Sequence, residues 1–264
     1  MTGGRIYKPV RALARGLDLL LELNTRGRAK PAELAIATGI DRTTVYRMLA
    51  TLTELGFVAR AASEDKYYLL REVRRLSDGF IETDDVLHIA ARELGKLLSV
   101  IQWPSDYATF DRGAMVIQET THRLSALSVN RGMVGRRRPL LTTALGRAYV
   151  AGCTEAERAL TLDMTEAALN RPVPRNLDAL LDDFAKRGYA WSIAGAEAHI
   201  SAIGLPVRAP TRILGAVNIV FFRRTTTPEA IAEKHLPALR ACVAAIEARV
   251  AELTPPAASS APDL

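Results

Sequence analysis

Residues 31–50 read PAELAIATGIDRTTVYRMLA, and this segment determines how the N-terminal part of the chain folds. Pro31 suits the first turn of a helix and Gly39 suits the left-handed residue that follows one, so a short helix is predicted between them. Asp41 can cap a second helix that extends to Leu55. Two short helices joined by a glycine turn are typical of a helix-turn-helix.

The apolar side chains of this segment agree with that interpretation. Ala35 is small at a position where two helices must cross closely. The side chains that would fill the wedge between the helices are Leu34, Ile40, Val45 and Met48. Few unrelated helical hairpins meet all of these requirements. The plainer alternative is a helical hairpin whose outer face is only solvated.

The outer face of the second helix predicts a nucleic-acid partner. The same phasing turns polar side chains outward at Arg42, Thr43, Thr44, Tyr46 and Arg47. They lie mostly in the N-terminal half, which is the part of a recognition helix that enters the major groove. An arginine can bridge O6 and N7 of guanine, and a threonine offers a hydroxyl and a methyl group for thymine. We therefore expect double-stranded operator DNA to bind here.

A two-stranded wing is predicted directly after the helix-turn-helix. Residues 57–60 and 66–70 are rich in β-forming side chains and flank a polar turn. Arg60 and Lys66 lie in this wing, where phosphate or minor-groove contact would add salt-dependent affinity more than sequence preference. Ordinary solvation of either side chain is the alternative.

The charge distribution points to the same end of the chain. The formal net charge is +6. Residues 1–80 hold 14 Lys or Arg against 9 Asp or Glu, whereas the remaining residues are nearly balanced. A local excess of cations favours a polyanion such as nucleic acid, although solvated surfaces also carry modest excesses.

The pattern of elements divides the chain into two domains. Residues 1–70 are predicted to form a winged helix-turn-helix domain, and residues 71–85 a linker helix. A larger domain follows at residues 86–254, and residues 255–264 are predicted to be a disordered tail. The first helix of the chain is identified by four leucines on one face: Leu13, Leu17, Leu20 and Leu21.

The larger domain is predicted to be an α+β domain built on one antiparallel sheet of five or six strands. Strands are predicted at residues 103–111, 114–121, 124–129, 189–193, 200–208 and 213–222, with a loop that ends at Pro139. Helices are predicted at residues 86–100, 143–151, 155–163 and 176–186, and from Thr227 onwards.

Several classes of protein are disfavoured by what the sequence lacks. It has no apolar run long enough to cross a bilayer and no secretory leader, so a cytoplasmic protein that does not enter a membrane is expected. Cys153 and Cys242 have no CxxC partner and the histidines are scattered, so no disulfide, metal or cofactor is expected. Because GxSxG, HExxH and glycine-rich phosphate loops are missing, no catalytic site is predicted. An enzyme that acts on a small aromatic acid remains an alternative.

The order of helix, helix-turn-helix, wing, linker helix and sensor domain resembles the IclR family of bacterial transcription regulators. The segments that carry the resemblance are residues 10–17 (VRALARGL), 43–49 (TTVYRML), Gly135, Pro139-Leu140 and 143–148 (TALGRA). The resemblance covers roughly residues 8–253, with separate motifs in both domains. It implies a DNA-binding regulator with a GAF-like effector-binding domain, and many such regulators are tetramers.

Four further segments are similar to the MhpR regulators of hydroxyphenylpropionate catabolism: residues 103–106 (WPSD), 119–123 (ETTHR), 133–137 (MVGRR) and 233–239 (EKHLPAL). This similarity implies an aromatic carboxylate as effector and transcription activation. A repressor with a different small organic acid as effector is the alternative, because the fold does not decide the function. A homodimer is expected because paired half-sites need two recognition helices, with the linker around residues 73–81 as its seam.

The family resemblance also implies where the effector binds. Carried onto this sequence, the wall of the effector site is formed by Met133, Thr143, Ala144, Ser201, Ala202 and Asn218. Asn218 interrupts an apolar run, and a buried amide needs a partner, which is either a ligand oxygen or the neighbouring backbone. Trp103 and Tyr107 could stack on an aromatic ring, or be ordinary core. His122, Arg123 and Arg131 could attract a carboxylate, or simply line an exposed strand edge.

Overall fold

A computed structural model describes residues 10–62, 64–77, 85–128 and 132–253 of the chain. These residues form two compact units. The first takes in the described residues up to Ser77, and the second takes in almost all of the remaining described residues. The predicted tail at residues 255–264 lies outside the described residues.

The first unit is a helical domain with a small sheet. Its elements are α1 (Arg11–Arg26), β1 (Arg28–Ala29), α2 (Pro31–Thr38), α3 (Arg42–Glu54), β2 (Val58–Arg60) and β3 (Tyr67–Leu69). The strands form an antiparallel sheet in the order β1-β3-β2. The predicted helix-turn-helix and wing are therefore confirmed. Strand β1 was not predicted, because two residues are too few to show alternation.

Local signals explain why α2 and α3 begin and end where they do. The Glu33 carboxylate accepts a hydrogen bond from the Lys30 backbone amide at 2.8 Å, which satisfies a free donor at the start of α2. Gly39 has a φ of 66°, the left-handed conformation that ends a helix. The Asp41 side chain accepts a hydrogen bond from the Thr44 backbone amide at 3.1 Å and so caps α3.

The core of the first unit is apolar and lies between α1, α2, α3 and the sheet. Its fully buried side chains include Leu19, Leu23, Leu34, Val45, Leu49 and Val58. Helix α1 buries Leu19 and Leu23, whereas Leu13, Leu17 and Leu21 are 64%, 48% and 64% exposed. The leucine stripe that identified this helix is thus largely its outer face. Leucines occur on both sides of α1, so their spacing shows a helix without showing which side is buried.

The segment between the units is described only in part. Arg71–Leu76, within the predicted linker helix, forms a 3-10 helix. Residues 78–84 lie outside the described residues, so a continuous linker over residues 71–85 stays a prediction.

The second unit is built on a six-stranded antiparallel sheet with the strand order β6-β5-β4-β9-β8-β7. Its strands are β4 (Ser105–Asp111), β5 (Ala114–Thr120), β6 (Arg137–Pro139), β7 (Ala190–Ile193), β8 (Ile200–Ala209) and β9 (Arg212–Phe222). Its helices are α4 (Asp85–Ile101), α5 (Ala144–Gly152), α6 (Glu155–Leu169), α7 (Asp178–Arg187) and α8 (Pro228–Leu253). The predicted α+β class and antiparallel sheet are confirmed.

Helices cover both faces of this sheet and form two separate cores. Helices α4 and α8 pack on one face, against Tyr107, Ile203 and Val217. Helices α5, α6 and α7 pack on the other face, against Ala108 and Ala216. Because neighbouring side chains of a strand point to opposite faces, each position of β8 and β9 belongs to one core only.

Two predictions for this unit were wrong. Residues 124–128, expected to be part of a strand, form turns in which Leu124 is 74% exposed. The Ser125 hydroxyl donates a hydrogen bond to the Gln102 carbonyl at 2.8 Å and holds these turns in place. The predicted loop before Pro139 instead contains β6, which pairs with β5 from Ala114 to Val116.

Candidate functional site

Helix α3 presents polar side chains on the side opposite its buried stripe. Val45 and Leu49 are fully buried in the core of the first unit. Arg42, Thr43, Tyr46 and Arg47 are exposed, whereas Thr44 is only partly exposed. The arrangement follows from the 3.6-residue period of the helix. An edge bearing two guanidinium groups, hydroxyls and a phenol therefore faces solvent.

The two arginines of this edge differ in their surroundings. The Arg42 guanidinium lies over the Tyr46 ring, 5.8 Å from its centroid, and hydrogen bonding to Tyr46 raises the pKa of Arg42. Arg47 makes no ion pair with any of the described residues. Guanidinium groups that lack a carboxylate partner keep all their donors for an anion or a base edge.

The predicted wing cations are already paired within the wing. Arg60 binds Asp65, with a nitrogen–oxygen distance of 2.9 Å, and Lys66 binds Glu64 at 2.9 Å. The Lys66 ammonium lowers the pKa of Glu64. Sequence reasoning placed both cations correctly in the wing but missed these partners. A phosphate must share or displace a carboxylate at each position.

The residues proposed for the effector wall do not all share one face of the sheet. Thr143 caps α5, and Ala144 packs against Ala202 of β8 in a small apolar cluster. A side chain at Gly204 would meet the Ala144 carbonyl at 3.1 Å, so glycine allows α5 to lie close to the sheet. Asn218 pairs with Gly204 across β8 and β9 and hence faces α5 as well.

Three of the proposed effector residues lie on the opposite face, which corrects the sequence analysis. Tyr107 is 1% exposed and belongs to the core beneath α4 and α8. Ser201 pairs with Phe221 of that core, so it cannot face the same side as Ala202. Trp103 contacts Phe221 edge to face, with ring centroids 6.4 Å apart. These side chains fit the alternative of ordinary core.

Both polar groups of Asn218 are used within the protein. Its Oδ1 accepts a hydrogen bond from the Asp106 backbone amide at 2.8 Å. Its Nδ2 donates to the Asp106 Oδ2 at 3.3 Å. The observed geometry therefore fits the alternative in which neighbouring groups of the protein, and not a ligand oxygen, satisfy the Asn218 amide.

Asp106 is the centre of a buried polar network that sequence reasoning missed. It is 1% exposed and accepts a hydrogen bond from the Thr120 hydroxyl at 2.7 Å. His122 Nε2 lies 3.6 Å from the Asp106 carboxylate, and His122 Nδ1 lies 2.6 Å from the Ser128 hydroxyl. The carboxylate that lies near His122 therefore belongs to Asp106 of the protein itself. Alternation along β4 could have placed Asp106 on the same face as Ala108.

A second charged cluster joins β6 to the loop between β7 and β8. The guanidinium groups of Arg136 and Arg138 each lie 3.3 Å from Oε1 of Glu197. Arg138 also contacts the Met133 sulfur at 3.8 Å. His199 lies 3.7 Å from the other oxygen of Glu197. Sequence reasoning named Arg123 and Arg131 as candidate cations instead; Arg123 is exposed, and Arg131 lies outside the described residues.

Two searches of the described ranges bear on other classes of site. None of the helices in those ranges is long and apolar enough to span a membrane. Nor do they bring three His, Cys, Asp or Glu residues close enough together to hold a metal ion.

Known protein families match most of the chain. Residues 12–62 match the IclR helix-turn-helix domain, and residues 81–248 match the C-terminal domain of bacterial IclR transcriptional regulators. These two matches follow the same order as the two units. The matched domains belong to transcription regulators and not to enzymes.

Individual relatives agree with the family match. The chain is 25% identical over 183 residues to the transcriptional regulator KdgR of Escherichia coli, which covers 66% of this chain and 68% of KdgR. It is 24% identical over 247 residues to the p-hydroxybenzoate hydroxylase transcriptional activator of Acinetobacter baylyi, which covers 88% of both chains. A solved IclR homolog from Microbacterium hydrocarbonoxydans, complexed with 4-hydroxybenzoate, has a similar fold. It gives a TM-score of 0.56 at 18% identity and covers 92% of this chain and 100% of that chain.

Proposed function

Because the chain belongs to the IclR family of bacterial transcription regulators, we propose that it binds operator DNA through α3 and responds to an aromatic carboxylate. The carboxylate binds the second unit, and the regulated genes serve aromatic-acid catabolism. The regulator acts as an activator. The single observation that carries the DNA-binding part is the exposed polar edge of α3 opposite its buried Val45 and Leu49.

In this proposal the side chains of α3 divide the work of recognition. Arg47 and Arg42 reach base edges in the major groove, because a guanidinium can bond two acceptors of guanine at once. Thr43, Thr44 and Tyr46 contact phosphates or thymine methyl groups. Such contacts fix both the register of the helix and part of its sequence preference.

Arg60 and Lys66 of the wing bind phosphates and contribute affinity that falls with salt. Each first separates from its wing carboxylate, Asp65 or Glu64. Their contribution is therefore smaller than that of an unpaired cation. These two residues affect affinity for any duplex rather than the choice among sequences.

A homodimer is the smallest assembly that fits this mode of binding. Two recognition helices of a symmetric dimer enter successive major grooves about 34 Å apart. The proposed seam of the dimer is the linker around residues 73–81, of which residues 78–81 lie outside the described residues. Two dimers can associate further into a tetramer. An operator with two related half-sites is the counterpart expected in the DNA.

The effector site lies between the start of α5 and the facing strands. Met133, Thr143, Ala144 and Ala202 form its wall, and Asn218 acts through Asp106 by holding that carboxylate in place. Two relatives support an aromatic acid as ligand: one is named for p-hydroxybenzoate hydroxylase, and the other was solved with 4-hydroxybenzoate. The match to a family of transcription regulators supports a ligand that is sensed rather than converted.

Effector binding changes operator affinity through linkage. A ligand that prefers one arrangement of the sensor units shifts the population towards it, and so changes the spacing of the two α3 helices. Coupling energies of this kind are about 1–3 kcal/mol, which changes operator affinity by about 5- to 150-fold. The same factor applies to effector affinity when operator DNA is present.

Footprinting followed by transcription in vitro tests this function. An activator protects a site upstream of the promoter and raises transcript levels when 4-hydroxybenzoate or hydroxyphenylpropionate is added. Protection across the transcription start, with transcript lost on adding the protein, identifies a repressor instead. If neither acid changes operator affinity or transcript level, the aromatic effector is wrong even where the operator is protected.

A further inference from the structure

The charged cluster around Glu197 joins two loops of the second unit. Arg136 directly precedes β6, Arg138 lies within β6, and Glu197 comes from the loop between β7 and β8. All three side chains are largely shielded, with exposures of 21%, 14% and 23%. Shielded charges interact more strongly than solvated ones, because water screens them less. This cluster is therefore more than a pair of surface ion pairs.

The contacts within the cluster are long for charge-assisted hydrogen bonds. Arg138 reaches Glu197 Oε1 through one nitrogen at 3.3 Å, and Arg136 reaches the same oxygen at 3.3 Å. Charge-assisted contacts between a guanidinium and a carboxylate are typically about 2.7–2.9 Å and are often bidentate. In these two contacts Glu197 uses one oxygen and each guanidinium group uses one nitrogen, so neither contact is bidentate. A mobile carboxylate could bind the same guanidinium groups better.

The cluster lies beside the wall proposed for the effector. Arg138 contacts the sulfur of Met133, which is buried. The loop of Glu197 is fixed to the start of α5 by a hydrogen bond from the Thr142 hydroxyl to the Gly195 carbonyl, at 3.0 Å. Thr142 directly precedes Thr143 and Ala144. A ligand against these residues would have the cluster within reach of its acidic group.

The loop itself is held by contacts and not by its backbone preference. Ala194 has a φ of 54°, a conformation that costs energy for a residue with a side chain. Its backbone amide is bonded to the Ile200 carbonyl at 2.9 Å. Loss of the Glu197 contacts would therefore free the tip of the loop while its base stays fixed.

We propose that Arg136 and Arg138 are the carboxylate-binding pair of the effector site and that Glu197 is an internal competitor for it. The effector's carboxylate displaces that of Glu197 from the two guanidinium groups. Released Glu197 moves towards solvent, while Gly195 stays bonded to the Thr142 hydroxyl. This assignment rests on the proposed function, because it requires an organic anion as effector. It adds which residues recognise the anion and which one opposes it.

Titration calorimetry on the full chain tests the assignment with two matched probes, 4-hydroxybenzoate and its neutral analogue 4-hydroxybenzamide. Glu197→Gln removes the competing charge, so the acid binds more tightly and the amide binds as before. Arg138→Gln removes one guanidinium, so the acid loses about ten-fold or more in affinity, as expected for a charge-assisted hydrogen bond. The preference for acid over amide falls by the same factor. Arg136→Gln gives a second variant with the same expected direction.

Arg137→Gln is the matched control, because Arg137 lies between these arginines in sequence but binds Asp111 at 2.9 Å. It should leave the affinity for both probes within about two-fold. A cluster that only fixes the loop gives a different result: Glu197→Gln and Arg138→Gln then weaken acid and amide alike. Either that pattern, or acid binding unchanged in both variants, overturns the assignment.

The outcomes distinguish a failure of this inference from a failure of the proposed function on which it rests. If the wild type binds none of 4-hydroxybenzoate, hydroxyphenylpropionate and benzoate at millimolar concentration, the aromatic-acid effector is wrong. In that case the assignment of the arginine pair to its carboxylate is wrong as well. If the wild type binds an acid and the variants do not alter its preference over the amide, only the role of the cluster is wrong.

Discussion

Replacing Asn218 with alanine tests whether the buried network around Asp106 stabilises the second unit. The change removes the acceptor of the Asp106 backbone amide and a donor to the Asp106 carboxylate. Both groups are buried, since Asp106 is 1% exposed. A buried polar group left without its partner costs about 1–3 kcal/mol. The Asp106 carboxylate keeps its bond from Thr120, so we expect a total loss of about 2–4 kcal/mol in the free energy of unfolding.

Urea unfolding followed by tryptophan fluorescence measures this loss. Both tryptophans of the chain, Trp103 and Trp191, lie in the second unit, so the signal reports on that unit alone. With an m-value of about 2 kcal/mol/M, the midpoint should fall by about 1–2 M. The protein should still be folded in the absence of urea, because domains are typically stable by about 5–15 kcal/mol.

Gln118→Ala is the control for this prediction. It removes a hydrogen bond of similar length, from Gln118 Nε2 to the Thr109 hydroxyl at 2.8 Å, but from a partly exposed position. Water can replace that bond, so the loss should be at most about 1 kcal/mol. If Asn218→Ala lowers the midpoint no more than Gln118→Ala does, the network adds little to stability. An unchanged midpoint together with weaker effector binding would instead assign Asn218 to the ligand.

Three further predictions follow from other parts of the chain. Asp41→Ala should lower the stability of the first unit by about 1 kcal/mol, because it removes the cap of α3. Amide hydrogen exchange of α3 measures this loss of stability, and unchanged protection of the α3 amides would contradict the prediction. Gly146→Ala should unfold or strongly destabilise the second unit, because the new Cβ would lie 1.9 Å from the Leu140 carbonyl oxygen; a native-like thermal midpoint refutes the close approach. Burial raises the pKa of Cys153 to about 11 and that of Cys242 to about 12. A thiol reagent at pH 8 should therefore modify neither cysteine until the protein is denatured. Rapid labelling of the native protein would contradict their burial.

Local signals made the first unit predictable from sequence. Pro31, Gly39 and Asp41 act within a few residues of their own positions, so the bounds of α2 and α3 could be derived without knowing the fold. The buried side of α1 could not be derived in this way. It depends on which of its leucines meet α2 and the small sheet, and those contacts involve distant parts of the chain.

The site in the second unit was harder to predict for the same reason. Asn218 and Asp106 are 112 positions apart, and only the pairing of β4 with β9 brings them together. The sequence analysis placed Ser201 and Ala202 in one wall, although neighbouring residues of a strand point to opposite faces, so this error could have been avoided. The strand predicted at residues 124–129 is wrong for residues 124–128, because hydrogen bonds of Ser125 hold these residues in turns.

Competitive binding with labelled promoter DNA tests the central claim that α3 recognises the operator. Wild type, Arg47→Ala and Arg92→Ala are titrated at one salt concentration against the protein's own promoter and a random duplex of equal length. Arg92 is exposed on α4, so its replacement removes the same charge away from α3. Arg47→Ala should reduce the preference for the promoter by about ten-fold, in line with a base contact of about 1–3 kcal/mol, and Arg92→Ala should leave it intact. A wild type that binds both duplexes equally, with and without the aromatic acids, would contradict the account.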